Sequence, residues 1–490
     1  MKDRITIITA AALTAEVFLF YLATLAPTVL WGDDAFFQWS TAAGYLQPDG
    51  GGHWLHFILA RLFINLPVGD IAYRVNLLSA AAATLTVLFI FATGRSLGFS
   101  NGAAAAGALS LAVAHTFWTH AVRAEVYTLF TLMLALMLWL AAAWREERPL
   151  FLYLAAFLFG PTLLSHQMGL LLLPTLLLLL RLRRGWLQNK EWIFTILAFT
   201  AGLGLAAGVI QIQVGQTNLP DSLSTYFTQS GADFSGSIFD FSLSRLPADI
   251  GFWLTLLGLQ FVGPALLLGL LGFLAMRKRP VAGLPLLVFY IITVIFAATY
   301  RVNDRYVFFL PGYLIFALMV GSGWEVLKQK RPRLAHAALP LLVIIPFITY
   351  AALPPLLQTA GLSIPDARQL PGREPVSFFL QPAKSGYTEA AEYGRSALTS
   401  LPPNSILIAD HTPLETLTYL QRVEGIRLDV RLVEVGPGQN LAPIVRGFPP
   451  DRPVFLADNN PDYYNLSSLP QIVLIPDGFI YRLNNSVNFP

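Results

Sequence analysis

The chain reads WGDDAFFQ at residues 31–38, which places two adjacent carboxylates, Asp33 and Asp34, directly after the first long apolar segment. A charged group just beyond a membrane span either rests in interfacial water as a helix cap or faces a cavity where chemistry or transport is done. Asp is well suited to capping, so both interpretations are open for this pair. The second gains weight if other polar groups converge on the same side of the membrane.

The composition indicates a polytopic membrane protein. The 490 residues are 55% hydrophobic and only 12% charged, whereas soluble domains are about 25% charged; the mean hydropathy is +0.58. The net charge of +3 is small and the Lys and Arg residues are scattered between apolar runs, which argues against nucleic-acid binding. The chain has no cysteine, so disulfides, thiolate metal sites and cysteine nucleophiles are excluded.

Apolar stretches long enough to cross a hydrocarbon core as helices predict about eleven membrane spans. The first run, 5–30, is too long for a signal-peptide core, so we expect it to be a retained span. Short basic clusters lie at every second junction, which by the positive-inside rule places the N-terminus in the cytoplasm and everything after Pro354 outside. The predicted spans lie near residues 5–28, 75–93, 102–118, 125–143, 150–165, 168–181, 192–212, 249–275, 281–299, 306–325 and 334–353.

The composition changes to that of a soluble domain from about Ser377. Short β-type runs alternate there with helical ones, and a capping box at Thr412 with a stop at Gly425 predicts a helix between the first two strands. We therefore predict a small α/β domain of parallel strands. Its strands are expected near 406–409, 430–435, 454–457 and 472–475. The predicted domains are a transmembrane catalytic domain at 1–355, a linker at 356–382 and an extracytoplasmic α/β domain at 383–490.

Two outer loops are predicted to be structured. The first contains apolar residues at three- and four-residue spacing over 36–43 and 55–62, which suits helices lying in the membrane interface. The second, 213–249, is long for a membrane connector and rich in Ser, Gly, Asp and Phe, which is typical of a mobile or re-entrant flap. We expect this flap to close over a substrate.

Five arginines lie on the predicted outer side, against the positive-inside bias. The Arg fork matches phosphate bidentately, so the group predicts an anion site suited to the phosphate of a lipid-linked substrate. The alternative is that single members pair with nearby carboxylates such as Asp70 and Glu125, or snorkel to lipid headgroups. The candidate donor-phosphate ligands are Arg74, Arg123, Arg245, Arg301 and Arg305.

Beside such a donor, Asp33 and Asp34 become candidates for the general base that takes the proton of an attacking hydroxyl. Glu125 is either a first-turn helix acid or part of the site. Four outward histidines invite a metal interpretation, but their spacing is a weak ligand pattern, and the sequence requires neither a metal nor another cofactor. The supporting site residues are predicted to be His53, His120, Glu125, His166 and Asp304; the fourth outward histidine is His56.

Several stretches resemble one known family. They are LATLAPTV at 22–29 leading into Asp33, AYRVNLLS at 72–79 and FWTHAVRAEVY at 117–127, with further similarity at 165–166, 306–313 and 401–425. The chain resembles the bacterial and eukaryotic membrane family that includes a transmembrane protein O-mannosyltransferase. That family belongs to the GT-C glycosyltransferases.

The resemblance implies a GT-C fold whose first outer loop carries a catalytic acid, and Asp33 matches that acid. It implies a bacterial membrane enzyme that moves a sugar, mannose, from a polyprenyl-phosphate donor to an acceptor hydroxyl on a protein Ser or Thr. The family usually has a Glu three residues after the first acid, where this chain has Phe36. Asp34 and His53 are the candidates to replace it.

Three other functions are weighed against this one. A transferase of the same type could use a lipid or glycan acceptor. A transporter or flippase would bring internal symmetry and broken helices in matching halves, and the sequence shows no such repeat. A receptor or scaffold presenting the α/β domain would leave the outer arginines and the paired acids unexplained.

Overall fold

A computed structural model describes residues 2–47, 53–183, 185, 187–229, 240–278, 280–302, 304–362, 368–469 and 472–485. Helices fill most of the chain up to residue 360, and each predicted span overlaps at least one of them. In chain order they are α1 (Lys2–Thr24), α2 (Asp33–Ala43), α3 (Trp54–Phe63), α4 (Ile71–Ser96), α5 (Asn101–Ala112), α6 (His115–Ala121), α7 (Tyr127–Ala143), α8 (Leu150–Ser165), α9 (Leu173–Leu182), α10 (Asn189–Val214), α11 (Leu219–Ser224), α12 (Leu246–Gln260), α13 (Pro264–Met276), α14 (Pro280–Thr299), α15 (Leu310–Lys330) and α16 (Pro332–Thr359).

Five helices among the described residues are long and apolar enough to cross a membrane, or six if one bent pair counts as a span. They lie in α1, α4, α10, α15 with the turn before it, and α16. Five shorter apolar helices, α7 and α8 among them, accompany these. The chain is thus a helical membrane protein, while the predicted number of about eleven spans is not confirmed.

The predicted span 249–275 is wrong as a single helix. It is two helices, α12 and α13, whose axes differ by 115°. The break lies at Gly263, whose φ of +64° is in the left-handed region, and Pro264 then begins α13 at a position that tolerates proline. The predicted span 102–118 is likewise divided, because α5 ends at Ala112 and α6 begins at His115.

Helix α15 lies at the centre of the helical core. Its apolar window is entirely buried, and α13 and α5 pack directly against it. Gly323 allows the close approach to α13, because a Cβ there would lie 1.9 Å from the carbonyl oxygen of Leu268. The turn before α15, Arg305–Phe309, connects this core to the outer loops.

The two helices predicted in the first outer loop are present as α2 and α3. Gln38 of α2 donates a hydrogen bond of 2.9 Å to Asn76 of α4, which holds α2 against the helical core. The predicted flap begins with α11 and a π-helical turn, Thr225–Gln229. Its residues 230–239 lie outside the described ranges, as do 48–52 of the first loop.

The C-terminal part forms an α/β domain with a mixed sheet. The sheet order is β2-β1-β3-β5-β4, with β1 parallel to β2 and β3 and β5 antiparallel to β3 and β4. The prediction of a purely parallel sheet is therefore wrong, since an unpredicted fifth strand returns through a turn at Gly478 (φ +62°). The elements are α17 (Pro375–Leu380), which lies in the predicted linker, α18 (Glu389–Ser400), β1 (Ile406–Ala409), α19 (His411–Arg422), β2 (Arg431–Glu434), α20 (Leu441–Arg446), β3 (Val454–Leu456), β4 (Ile472–Asp477) and β5 (Ile480–Asn485).

Helix α19 begins earlier than its predicted capping box. Its N-cap is Asp410, whose carboxylate accepts a hydrogen bond from the backbone N–H of Thr412. The Asp side chain thereby satisfies one of the free N–H groups of the first turn. This shift makes His411, and not Pro413, the first residue of the helix.

The α/β domain is docked on the first outer loop through α19. The hydroxyl of Thr416 donates to the carbonyl of Leu30 at 2.7 Å, and the backbone N–H of Ala72 donates to the hydroxyl of Tyr419 at 3.1 Å. Trp31 and Trp39 are buried in the same apolar cluster as the core residues of α18 and α19. The domain is therefore packed against the loop that carries Asp33.

Candidate active site

The two predicted catalytic acids lie in the first turn of α2. Gly32 is the N-cap and has a φ of +57°; its backbone N–H donates to the carbonyl of Thr412 at 3.0 Å. Gly32 has no side chain with which to cap this helix end, and within the described residues neither aspartate accepts a hydrogen bond from its backbone N–H groups, so neither Asp33 nor Asp34 acts as its cap. The aspartates only add negative charge to the first turn, where the helix dipole favours it.

Asp33 is the accessible member of the pair. Its side chain is 60% exposed, and its Oδ1 accepts a hydrogen bond of 2.8 Å from Nε2 of His411 in α19. Desolvation acts to raise the pKa of Asp33, but the hydrogen bond from His411 and the charges of His411 and Arg123 outweigh it and hold that pKa below its usual range. No hydrogen bond of the described residues uses Oδ2, so an ionised oxygen is available to a substrate.

Asp34 is the buried member, with only 2% of its surface exposed. Nε of Arg123 lies 3.3 Å from its Oδ1, and Nη2 of the same arginine donates to Oε1 of Glu125 at 2.8 Å. Burial raises the pKa of Asp34 to about 7, against the opposing effect of Arg123, and burial also raises the pKa of Glu125. Asp34, Arg123, Glu125 and the neighbouring His120 form what we call the Arg123 cluster.

The Arg123 cluster contains polar atoms without hydrogen-bond partners. Both ring nitrogens of the buried His120 lack a hydrogen-bond partner among the described residues, and Oδ1 of Asp34 and Nε of Arg123 have only their mutual ion-pair contact of 3.3 Å. The nearest carboxylate oxygen to His120 is Oε1 of Glu125, at 3.8 Å from Nδ1. Each such atom costs about 1–3 kcal/mol, and native proteins leave few of them without a ligand or functional reason. The cluster is therefore suited to a polar ligand.

Two further cations act on Asp34, and neither was predicted from the sequence. The charges of Lys384 and Arg373 lower the pKa of the Asp34 carboxyl. Lys384 is buried, its Nζ donates to the carbonyl of Phe378 at 2.9 Å, and burial lowers its pKa to about 7. The two residues flank the short helix α17; Arg373 lies in the predicted linker, and Lys384 lies just after it, at the start of the predicted α/β domain. The only available signal was an isolated Lys and Arg in a proline-rich stretch.

Of the five predicted donor-phosphate ligands, Arg123 is the one that contacts Asp34 and Glu125 within the described residues. Arg301 pairs with both carboxylate oxygens of Asp249, at 2.5 and 2.7 Å, and Arg305 pairs with the same residue at 3.1 Å. These three residues form what we call the Asp249 cluster. Arg245 lies beside it and pairs with Asp240 at 2.6 Å.

Arg74 lies elsewhere, at the start of α4. Its guanidinium donates to the carbonyl oxygens of Val68, Ile64 and Gly69 at 2.7, 2.7 and 3.0 Å. It does not pair with Asp70, which instead caps α4 by accepting from the backbone N–H of Tyr73. Arg74 thus holds the connection between α3 and α4 in place.

Two of the remaining supporting residues, Asp304 and His53, interact electrostatically with Asp33. Burial and the negative charge of Asp33 raise the pKa of Asp304 to about 6. His53 also lies close enough to lower the pKa of Asp33, and its ring stacks on that of His166 with centroids 5.4 Å apart. Nδ1 of His166 accepts from the backbone N–H of Met168. The predicted supporting residues are thus distributed around one region of the outer loops.

The four outward histidines do not form a three-ligand metal group within the described ranges. The group there that has metal-ligand spacing is His411, Glu415 and Glu434, whose ligand atoms all lie within 4.8 Å of one another. All three residues belong to the C-terminal domain. They were not predicted, because their proximity depends on the docking of β2 beside β1 and α19.

Known proteins resemble this chain in sequence over one segment and in fold over nearly its whole length. Residues 47–190 match the family model of the protein O-mannosyl-transferase TMEM260 N-terminal domain. The chain is similar to solved structures of ArnT from Cupriavidus metallidurans, bound to undecaprenyl phosphate and in the apo state, with a TM-score of 0.58 to each. The identities are 13% and 15%, and the matches cover 98% of this chain and 98% and 97% of those chains. The chain thus has the GT-C fold, as predicted, and the comparisons support a membrane glycosyltransferase.

Proposed function

We propose that this protein transfers mannose from a polyprenyl-phosphate donor to the hydroxyl of a protein Ser or Thr on the outer side of the membrane. The difference between Asp33 and Asp34 carries the proposal: one carboxylate is accessible and ionised, and its neighbour is buried beside Arg123. A transferase needs a base on the acceptor side and positive charge on the leaving-group side. Asp33 can act as the base, and Asp34 lies beside the positive charge of Arg123.

In the proposed reaction the acceptor oxygen attacks the anomeric carbon of the sugar and forms the new glycosidic bond. The bond between that carbon and the phosphate oxygen breaks with inversion, and its electron pair leaves on the polyprenyl phosphate. The acceptor proton goes to Oδ2 of Asp33. Because the pKa of Asp33 is low, this transfer occurs late, once bond formation has made the acceptor oxygen acidic.

The leaving phosphate is proposed to bind beside Arg123, with Lys384 and Arg373 adding positive charge. Fixed cations stabilise the charge that develops on a leaving group, and Arg matches phosphate geometry. Arg301, Arg305, Arg245 and Arg74 have the carboxylate or carbonyl partners described above. Arg123 also has two carboxylate partners, but burial raises the pKa of both Asp34 and Glu125, so these groups can become neutral and leave the guanidinium to a phosphate. Of the five arginines predicted from the sequence, we therefore propose Arg123 as the direct phosphate ligand.

Each comparison supports one half of the proposal. The structure of ArnT with undecaprenyl phosphate supports a polyprenyl-phosphate donor, and the O-mannosyl-transferase family model supports mannose and a protein acceptor. The orientation, with the N-terminus in the cytoplasm, follows from the basic clusters at alternate junctions. A bacterial cell membrane is proposed as its location.

Mass spectrometry of lipids that copurify with the protein tests the donor. A polyprenyl-phosphate hexose is expected, and a transfer assay with that lipid should label a Ser- or Thr-containing peptide. Labelling of a lipid or glycan acceptor, with none of the peptide, would instead support the related transferase. Copurification of no sugar lipid, with no transfer from a supplied one, would contradict the proposal.

A further inference from the structure

A cluster of potential metal ligands lies where the C-terminal domain contacts the loop of Asp33. His411 and Glu415 are four residues apart on α19 and therefore on one face of that helix. Glu434 ends β2, where it is the register partner of Ala409, the last residue of β1 before the turn into α19. The sheet thus brings a carboxylate from a second element to the helical pair.

Two of the three separations within this cluster match those of a metal site, and all three are within 4.8 Å. Nδ1 of His411 lies 3.5 Å from Oε1 of Glu415 and 3.5 Å from Oε1 of Glu434. With metal–ligand bonds of about 2.0–2.2 Å, tetrahedral ligands are about 3.3–3.6 Å apart. An ion therefore fits between the three atoms after small side-chain movements, with a fourth coordination position left for water.

The atoms of these ligands that face away from the cluster already have partners on α2. Nε2 of His411 is 2.8 Å from Oδ1 of Asp33, and the indole N–H of Trp39 donates to Oε2 of Glu415. Metal-binding histidines commonly donate their second ring N–H to a carboxylate, and ligating carboxylates are themselves hydrogen-bonded. These contacts orient Nδ1 of His411 and Oε1 of Glu415 toward the same point.

The charges in this region are unbalanced. Three carboxylates, of Asp33, Glu415 and Glu434, surround one imidazole, and no Lys or Arg in the described ranges forms an ion pair with either glutamate. Glu415 is only 6% exposed, and buried carboxylates are normally paired or bound to a metal. A divalent cation at Nδ1 of His411 would supply the missing charge, and the N–H of Nε2 would still donate its hydrogen bond to the Asp33 carboxylate.

We propose that His411, Glu415 and Glu434 bind one Zn²⁺ or Mn²⁺ ion, which fastens the C-terminal domain to the helix that carries Asp33. Imidazole suits Zn²⁺, and carboxylates suit Mn²⁺; the mixed donor set distinguishes this site from one for Cu⁺ or Ca²⁺. The ion does not contact the sugar donor in this proposal. It positions Asp33 through the imidazole of His411.

Metal binding by the full chain tests the proposal. The protein should be purified in detergent on a tag without histidine, stripped with EDTA, and titrated with Zn²⁺ and Mn²⁺ by calorimetry, with bound metal counted by elemental analysis. We expect about one equivalent of one of these ions to bind, and Glu434→Gln to weaken binding at least tenfold, because loss of even an outer partner costs about 10–100-fold. Trp39→Phe, which removes the donor to Glu415, should weaken it about tenfold.

Matched controls separate this site from surface binding. His336→Gln and Glu392→Gln change an exposed imidazole and an exposed carboxylate outside the cluster, and both should bind metal like the parent. Glu434 is 59% exposed at its side chain, so Glu434→Gln should fold even if His411→Gln does not.

Two results would overturn the site: a stripped parent that binds less than half an equivalent of either ion, or a Glu434→Gln variant that binds as tightly as the parent. Because no sugar enters the experiment, metal binding without sugar transfer would contradict the proposed function alone.

Discussion

The Arg123 cluster and the Asp249 cluster both gather charge at the outer loops, but they differ in what their hydrogen-bonding atoms do. In the Asp249 cluster, Arg301 binds both carboxylate oxygens and Arg305 binds one of them again; within the described ranges, the one buried side-chain atom of this cluster that lacks a hydrogen bond is Nε of Arg301. In the Arg123 cluster, four buried atoms on three residues lack one. A group of charged side chains therefore indicates a binding site only where some of their buried donor and acceptor atoms have no hydrogen-bond partner.

Removal of the catalytic carboxylate should give the largest contrast between the two regions. Asp33→Asn keeps the shape of the side chain but cannot accept the acceptor proton, so turnover should fall by about 10² to 10⁴ while donor binding changes less than about twofold. The measurement is steady-state transfer together with equilibrium binding of the donor lipid. The matched change Asp249→Asn should leave turnover within about threefold of the parent. Equal losses in both variants would show that the two regions do not differ in the way proposed.

The arginines should separate the regions by donor affinity. Removal of a charge-assisted hydrogen bond costs about 1.5–3 kcal/mol, so Arg123→Gln should raise the donor Kd about tenfold or more. Arg301→Gln should change it less than about threefold, because that guanidinium is engaged by Asp249. Binding of a polyprenyl-phosphate mannose to both variants in detergent measures the difference. A larger effect at Arg301 would place the phosphate at the Asp249 cluster.

The charge of Lys384 provides a second test of whether the donor phosphate binds at the Arg123 cluster. The charge of Lys384 acts on the Asp34 carboxyl, and an electrostatic contribution of about 1 kcal/mol means that Lys384→Met should raise the donor Kd about fivefold below pH 7. The difference between the parent and the variant should shrink as the pH rises through the pKa of about 7 that burial gives Lys384, because the parent then loses its ammonium charge. A loss of packing alone would not depend on pH in this way. Lys330→Met, an exposed lysine at the end of α15, is the control.

The smallest expected effect concerns the backbone before Asp33. Gly32 and Gly361 both have left-handed φ, at +57° and +68°, so Gly→Ala at either should cost about 1–2 kcal/mol. Only Gly32 adjoins the catalytic acid and donates to Thr412, so only Gly32→Ala should also lower turnover, by about tenfold for a displacement of the base. Thermal unfolding and transfer rates of the two variants measure this. Equal turnover in the two would show that the position of Asp33 does not depend on this turn.

Most helices could be predicted because hydropathy alone determines where a chain can lie in lipid. The break between α12 and α13 was missed, since both halves are apolar and the pattern over 249–275 is that of one span; the pair Gly263-Pro264 was the only local signal. The strands β1 to β4 were recognisable from their apolar runs. The strand β5 and its antiparallel direction were not predicted, because strand pairing depends on contacts that no short stretch encodes.

The sequence could predict only those site residues whose unusual position is visible within a short stretch of the chain. Asp33, Asp34, Arg123 and Glu125 interrupt apolar runs, where a charge requires a reason. His411 lies 378 residues from its partner Asp33, and that contact arises only when α19 docks on α2. The ion pairs of Arg301 with Asp249 were missed for the same reason.

The contact between His411 and Asp33 also has a consequence for biosynthesis. Asp33 is translated and inserted 378 residues before the imidazole that holds it, and at about 5–20 residues per second this corresponds to roughly 20–75 s. During that interval the nascent chain carries Asp33 without its partner. Under the proposed function, sugar transfer reaches its full rate only after the C-terminal domain has been translated and has docked on α2, because an interrupted chain would lack the imidazole that holds the proposed base.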